Sequence, residues 1–210
     1  MPSRRRLPGR REGEDAASVF PRYMIGMFDW FKKKPPPEPP SVDRVWRSEA
    51  VRLEQLALIG DAGPVVIVAF FEATRRALAE RLGAAAHPGG QVTLLLADRL
   101  GGHSLPEVPI YVAERHPLPT ENRELLERLA REAPGRVPVF FSALDEPLMR
   151  RFGGERLVGL LDKLGLEPNE AIEHPMVGQA MANAREKVSK SIGFPQSAPS
   201  AEEWFLRNVR

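Results

Sequence analysis

The chain has 210 residues, of which 42% are hydrophobic and 28% charged, a balance typical of one globular domain with tails. It contains no cysteine, which excludes a disulfide framework and thiolate catalysis and is compatible with a reducing compartment. The net charge is only +2, but residues 1–48 hold eleven Lys and Arg against six Asp and Glu. The basic excess therefore lies at the N-terminus, and the near-neutral remainder disfavours a nucleic-acid binder.

The N-terminal arm, residues 1–41, is predicted to be disordered. Lys32-Lys33-Lys34 is followed by a proline-rich run, Pro35 to Pro40, which favours a stiff extended conformation. Met27 opens a sequence that reads like a natural N-terminus. Residues 1–26 are therefore either upstream sequence before the true start or a genuine basic arm, and composition leaves both open. No apolar segment long enough for a signal peptide or a membrane span follows the basic start, so we expect a cytoplasmic protein without stable membrane insertion.

Alternating strand and helix patterns begin at residue 42. Roughly helical apolar spacing predicts a helix over Val42–Ile59. Continuous β-branched runs predict strands at Val65–Phe71, Val92–Ala97, Val108–Ala113 and Val137–Ser142, with helices at Glu72–Leu82 and Thr120–Glu132 between them. Strands alternating with helices of this length indicate βαβ units, so the predicted class is α/β with a mainly parallel sheet.

The C-terminal part is predicted to be helical. Short helices are expected at Glu146–Phe152 and Glu155–Leu164, and a longer one at Pro175–Ser189. Apolar residues of the first two, with Phe152 as an aromatic anchor, are expected to pack back onto the sheet and complete its core (Leu148, Met149, Phe152, Leu157, Leu160, Leu161, Leu164). We predict a lobe with its helical extension over 42–192 and a C-terminal tail over 193–210, with a loop and then an amphipathic turn or two.

Residues 137–188 carry a resemblance to a known family. Phe140 to Leu157 reads FFSALDEPLMRRFGGERL, and Glu170 to Val177 reads EAIEHPMV. Together with Ala182 to Val188 (ANAREKV) and the upstream triplet Glu114-Arg115-His116, this run resembles the second nucleotide-binding lobe of the SecA preprotein translocase motor. The resemblance covers roughly residues 60–190 and implies a single RecA-like lobe followed by C-terminal helices.

The phosphate chemistry of that family is missing from the sequence. Gly-Lys, which ends a phosphate-binding loop, does not occur. Where the family has a Gly-Arg-Gly-Thr-Asp loop, this chain reads Leu100-Gly101-Gly102-His103-Ser104. The family's arginine motif falls on Glu124–Arg131, and only Arg128 and Arg131 stand where two of its arginines would.

Two interpretations of Arg128 and Arg131 follow. They are relic arginine fingers that would contact a nucleotide, or they lie on a solvated helix face with Glu121, Glu124, Glu127 and Glu132 as partners. Charge alternation on a predicted helix favours the second interpretation.

No catalytic residue, metal site or cofactor is predicted. The four histidines, His87, His103, His116 and His174, show no metal-ligand spacing, and His116 and His174 are interpreted as structural hydrogen-bonding groups. No Gly-x-Ser-x-Gly follows a strand. Lys32–Lys34 beside Phe28, Trp30 and Phe31 could touch an anionic membrane or RNA, but a short leader is the simpler interpretation.

These observations favour a non-catalytic SecA-like module that binds a protein, with the export machinery as the expected partner. The sequence leaves two alternatives: half of an ATP site completed in trans through Arg128 and Arg131, or a helicase-like lobe that binds nucleic acid.

Overall fold

A computed structural model describes residues 38–86, 90–101, 105–154, 157–159, 167 and 169–209. The predicted arm lies outside these residues except for its last four, as do His87, His103 and most of the predicted helix Glu155–Leu164. The described elements in chain order are β1 (Val42–Trp46), α1 (Glu49–Ala62), β2 (Val65–Ala69), α2 (Glu72–Leu82), β3 (Val92–Leu96), β4 (Ile110–Val112), α3 (Pro119–Glu132), β5 (Val139–Ala143), α4 (Pro147–Phe152), α5 (Pro175–Ser191) and α6 (Ala201–Asn208).

The five strands form one sheet in the order β1-β5-β4-β2-β3. Every pairing between them is parallel, for example Val66 with Thr93 on one side of β2 and with Ile110 on the other. β2 is buried along its whole length, as its unbroken apolar sequence requires at the centre of a parallel sheet. The predicted α/β lobe with a parallel sheet and C-terminal helices is confirmed.

Helices cover both faces of the sheet. On one face, Leu53 and Leu56 of α1 and Leu78 of α2 pack against Ile67 and Ala69. On the other face, leucines of α3 pack against Val66, Val68 and Phe140 (Leu125, Leu126, Leu129). Since alternate residues of β2 supply the two cores, the sheet is doubly wound.

The helix predicted over Val42–Ile59 is wrong in its first part. Val42–Trp46 is the edge strand β1, which pairs with β5 about a hundred residues later along the chain. Ser48 then accepts a hydrogen bond from Val51 N at 3.3 Å and begins α1. A local sequence pattern holds no information about a partner strand so distant in the chain, which explains the error.

The α4 block packs onto the lobe as expected, with one exception. Leu148 and Met149 are buried, but Phe152 is 36% exposed, so its predicted role as a core anchor is wrong. The helix ends at Gly153, whose positive φ of 93° favours glycine, and the Phe152 ring lies 5.8 Å from Lys187 Nζ near the surface. The chain reverses through Gly153 with Phe152 on the outer side of the turn.

Residues 193–209 also pack on the lobe. The loop and short helix expected there are present, with α6 capped by Ser200, whose side chain accepts from Glu203 N at 3.2 Å. Trp204 is 2% exposed and Phe205 8%, and both belong to the same core cluster as Leu148, Met149 and the buried face of α5. This segment, called the C-terminal segment below, therefore contributes to the core of the lobe.

Candidate functional site

The sheet has a crevice outside the carboxyl ends of β2 and β4. From β2 the chain passes through α2 to β3 on one side, whereas from β4 it passes through α3 to β5 on the other. Ligands of doubly wound sheets bind where successive connections diverge in this way. This edge is therefore the first place to look for a functional site.

Glu114 fills that crevice from the end of β4. Its Oε1 accepts hydrogen bonds from the backbone N–H of Phe70 at 2.8 Å and of Phe71 at 3.0 Å, and its Oε2 accepts one from the Thr74 hydroxyl. Two residues beyond Phe71, Ala73 N donates to Pro199 O of the C-terminal segment at 2.9 Å. Three backbone donors at the start of α2, a common anion-binding position, are thus engaged by the chain's own oxygens.

Behind Glu114 lies a buried charge network centred on Arg52 of α1. Its Nη1 donates to Glu146 Oε1, and its Nη2 lies 3.1 Å from Glu49 Oε1 and 3.8 Å from Glu114 Oε2. Ala143 N also donates to Glu146 Oε1, at 2.9 Å. The three buried members, Arg52, Glu114 and Glu146, connect α1 with the ends of β4 and β5.

The network has one polar atom without a partner. Arg52 Nε is buried and makes no hydrogen bond to any described residue. Arg52, Glu114 and Glu146 line a cavity of about 20 Å³, which is room for roughly one water molecule.

Burial dominates the titration of these carboxyl groups. It raises the pKa of Glu146 to about 7, with Arg52 opposing the rise and Glu114 adding to it. Burial also raises the pKa of Glu114, against the pull of Arg52, Thr74 and the two backbone N–H donors. For Arg52, burial alone would lower the pKa, but Glu146 and Glu114 outweigh it and the net direction is upward.

A cavity of about 320 Å³ opens beside the crevice, at the ends of β2 and β3. Its apolar wall includes Phe70, Phe71 and Trp204, and its polar wall includes Asp98, Glu121 and Arg128. Residues 195–198 of the C-terminal segment form a further side. This volume lies at the low end of the ~300–1,000 Å³ typical of small-ligand pockets.

His116 joins the aromatic wall of the cavity as a neutral ring. It stacks on Phe71 at 5.5 Å between ring centroids and meets the edge of Trp204 at 5.3 Å. Its Nδ1 accepts from Leu118 N at 3.1 Å, and burial lowers the pKa of His116 to about 4. The predicted structural roles are confirmed for His116 and for His174, whose Nδ1 accepts from Met176 N at 3.2 Å at the start of α5.

The structure separates the two arginines predicted from the family motif. Arg128 is half-buried in the cavity wall, and its Nη1 donates to Ala97 O, just past β3, at 2.8 Å. Arg131 is exposed and is not among the described residues that line the cavity. The two segments that the resemblance associates with nucleotide, the end of β3 and α3, therefore meet through the Arg128 hydrogen bond and through apolar packing of Ala97 and Leu100 against the α3 leucines.

Within the described part of the chain, no ion pair joins Arg128 to a glutamate of α3. Its Nη1 and Nε reach the backbone carbonyls of Ala97 and Glu124, and its charge opposes the rise in the pKa of Glu121. Both interpretations of Arg128 and Arg131 stay predictions.

Sequence reasoning missed several residues of this site. Glu114 was noted only as part of a family-like triplet, while Arg52 and Trp204 were not singled out. An arginine in the apolar stripe of a predicted helix was the one available signal for Arg52, since such a residue needs buried partners. Nothing local indicated that Trp204 returns to the sheet edge.

The described residues offer neither a metal site nor a membrane span. No three His, Asp or Glu side chains there are grouped to hold a metal ion. None of the described helices is long and apolar enough to cross a membrane.

The fold and site together define a doubly wound α/β lobe with a ligand-sized cavity at the carboxyl edge of its sheet. No family model matches the chain. It is 44% identical over 75 residues to the protein translocase subunit SecA of Acidithiobacillus ferrooxidans, a match that covers 36% of this chain and 8% of that protein. SecA of Solidesulfovibrio magneticus is also 44% identical over 75 residues, covering 36% and 9%, and SecA of Alkaliphilus oremlandii is 40% identical over 75 residues, covering 36% and 8%.

These matches confirm the similarity to SecA, over a stretch that spans less than a tenth of each relative. Among solved structures, the C-terminal part of the Fun30 ATPase domain matches with a TM-score of 0.35 and 12% identity, covering 68% of this chain and 54% of that one.

Proposed function

We propose that this chain is a non-catalytic, SecA-like interaction module of the cytoplasm that binds a protein of the export machinery. The observation that carries the proposal is the carboxylate of Glu114 at the switch point of the sheet. A phosphate placed there would have to displace a buried negative charge from the backbone donors of Phe70 and Phe71. Pro199 O accepts from Ala73 N, two residues further along the chain, so the C-terminal segment reinforces this closure.

The buried network explains how a lobe without nucleotide keeps its shape. In a nucleotide-binding lobe, a bound phosphate can satisfy the donors at this edge. Here Glu114 satisfies the donors of Phe70 and Phe71, and Arg52, itself paired with Glu146, lies 3.8 Å from Glu114 Oε2. These donors therefore have partners without a ligand, which suits a module that contributes a surface and no chemistry.

A direct test has a nucleotide arm and a partner arm. Calorimetric titration of the full chain with ATP and with ADP, both with magnesium, should give no saturable heat, and phosphate release should stay at background. Saturable binding or turnover that a point mutation in the chain removes would contradict the proposal.

In the partner arm, the chain is tagged at its N-terminus and captured from its native cells after brief cross-linking. Quantitative mass spectrometry should find subunits of the protein translocase, SecA included, enriched over capture with an untagged chain. A folded bait that enriches no translocase subunit would contradict the export assignment.

Half of an ATP site completed in trans remains the second candidate, and one observation favours it. Arg128 lies in the wall of an open cavity, where its Nη1 donates to Ala97 O and its Nε to Glu124 O at 3.4 Å, while its Nη2 makes no hydrogen bond to any described residue. An arginine so placed could reach a nucleotide held by another protein. Under this hypothesis, ATP hydrolysis by purified SecA should rise on adding this chain and should not rise on adding Arg128→Gln, while Arg131→Gln should behave like the parent.

A further inference from the structure

The cavity beside the crevice has a charge pattern that suits a cation. Its described lining carries two carboxylates, Asp98 and Glu121, against one guanidinium, Arg128. Arg128 is tethered through Nη1 to Ala97 O at 2.8 Å. His116 adds no positive charge at neutral pH, because burial lowers its pKa to about 4. The described lining residues therefore carry a formal net charge of −1, which favours a cationic ligand, and Arg207 lies just outside the lining with its Nη1 2.8 Å from Ser197 O.

Part of the cavity lining is aromatic. Phe70 and Phe71 both lie against His116, at 5.3 and 5.5 Å between ring centroids, and Trp204 closes the row at 5.3 Å from the same ring. Aromatic faces attract ammonium and guanidinium groups within about 6 Å of the ring centre. They also pack against the methylene stem that carries such a group in lysine and arginine.

A cationic ligand would stabilise the ionised form of Glu121. It is half-buried, and burial raises its pKa, with Glu124 adding to the rise and Arg128 opposing it. A second cation in the cavity would stabilise the ionised carboxylate that burial disfavours. The gain is larger there than at an exposed carboxylate, because the cavity walls exclude part of the solvent.

We infer that the cavity between Glu121 and Trp204 receives a lysine or arginine side chain of the protein partner. The cavity volume of about 320 Å³ suits one or two side chains of a partner and no larger element. The inference rests on the proposed function, since it assumes a protein partner. It adds the chemistry by which that partner is recognised, an aromatic and acidic pocket for a basic side chain.

The test uses short peptides as probes and the full chain labelled with nitrogen-15. The tripeptide acetyl-Gly-Arg-Gly-amide is titrated while amide shifts of Asp98, Glu121 and Ala198 are followed by NMR. Saturable shifts with a dissociation constant of about 1 mM or tighter are expected, as befits one anchored side chain. The peptides with Glu or Leu in place of Arg should leave these amides unshifted.

Variants then assign the binding to the two carboxylates. Glu121→Gln and Asp98→Asn keep the side-chain shapes and should each weaken the arginine peptide about threefold to tenfold. The matched control is Glu127→Gln on the exposed side of α3, which should bind like the parent. Unchanged affinity in both cavity variants, or equal binding of the Glu peptide, would overturn the inference.

A titration with ADP separates this inference from the proposed function. If the arginine peptide and ADP both fail to shift the cavity amides, the inference fails and the non-catalytic module stands. If ADP binds in the cavity and Arg128→Gln removes its binding, both the inference and the proposed function fail.

Discussion

The guanidinium of Arg52 and the carboxylate of Glu146 meet inside the lobe across 94 positions of the chain. Arg52 lies in α1 and Glu146 immediately precedes α4, so this contact joins the first helix to the start of the C-terminal helices. Both side chains are buried, and Glu114 is the third member of the group. A buried ion pair contributes little net stability, yet removing one partner leaves the other charge uncompensated.

The first prediction is that Arg52→Ala destabilises the fold strongly. The change leaves Glu146 and Glu114 buried without a cation, which typically costs about 3–5 kcal/mol. Urea unfolding followed by circular dichroism measures the loss. The control is Arg75→Ala, which breaks the partly exposed pair with Glu72 and should cost at most about 1 kcal/mol. A small effect at Arg52 would show that the carboxyl groups take up protons or water without penalty.

The second prediction concerns two groups that drive stability in opposite directions with pH. Burial raises the pKa of Glu146 from 4.5 to about 7, so its contribution is fully present below pH 4.5 and is lost as the pH rises through 7. Burial lowers the pKa of His116 from 6.5 to about 4, so its contribution is present above pH 6.5 and is lost as the pH falls through 4. The two windows overlap, and in the parent protein they should largely cancel.

Single variants should remove that cancellation. Glu146→Gln should make acidification from pH 8 to 5 more destabilising than in the parent, because one of the buried carboxyl groups that oppose the His116 contribution is then removed. His116→Asn, which keeps an acceptor for Leu118 N, should shift the balance the other way. Each window corresponds to at most about 3 kcal/mol, since one pKa unit is worth about 1.36 kcal/mol. Denaturant unfolding at several pH values is the measurement, and identical pH profiles in all three proteins would contradict both assignments.

Sequence patterns predicted the inner part of this fold well. β2 to β5 and α2, α3 and α5 were recognisable because β-branched runs and helical spacing are local properties. The edge strand β1 was missed because Val45 and Trp46 also fit the helical spacing of the residues that follow. Only the ladder with β5 decides between these alternatives, and that ladder is a long-range property.

The candidate site was predicted less completely than the fold. Arg128 could be placed through the family-like motif, and it does lie in the cavity wall. The closure by Glu114 and Pro199 could not be predicted, since it depends on two segments 85 positions apart meeting at the start of α2. For Arg131 the family-like motif predicted too much, because it selected a residue that is exposed to solvent.

The third prediction compares two residues of α4. Met149 is 1% exposed and Phe152 is 36% exposed, although both were expected in the core. Met149→Ala should cost about 2–5 kcal/mol, as large-to-small changes in a packed core do. Phe152→Ala should cost less, about 1 kcal/mol, because 36% of this residue is already exposed to solvent. Thermal and urea unfolding of both variants gives the comparison, and equal losses would place Phe152 in the core after all.

The last prediction is that the C-terminal segment is needed for the fold as well as for the cavity. Trp204 is 2% exposed and packs edge-on against His116 and Phe205. Trp204→Ala removes the largest fully buried side chain of the described residues and should cost about 3–5 kcal/mol. Leu206→Ala, two positions later on the same helix but 76% exposed, should change stability by no more than about 0.5 kcal/mol.

Amide hydrogen exchange shows which regions of the lobe lose stability in Trp204→Ala. In Trp204→Ala, protection should fall first at Ala73 N, whose partner is Pro199 O, and at the amides of α6. Phe70 N and Phe71 N should keep their protection, because Glu114 and not the C-terminal segment accepts their hydrogen bonds. If Ala73 N, the α6 amides, Phe70 N and Phe71 N all lose protection together, the C-terminal segment unfolds only with the whole lobe, which would contradict this prediction.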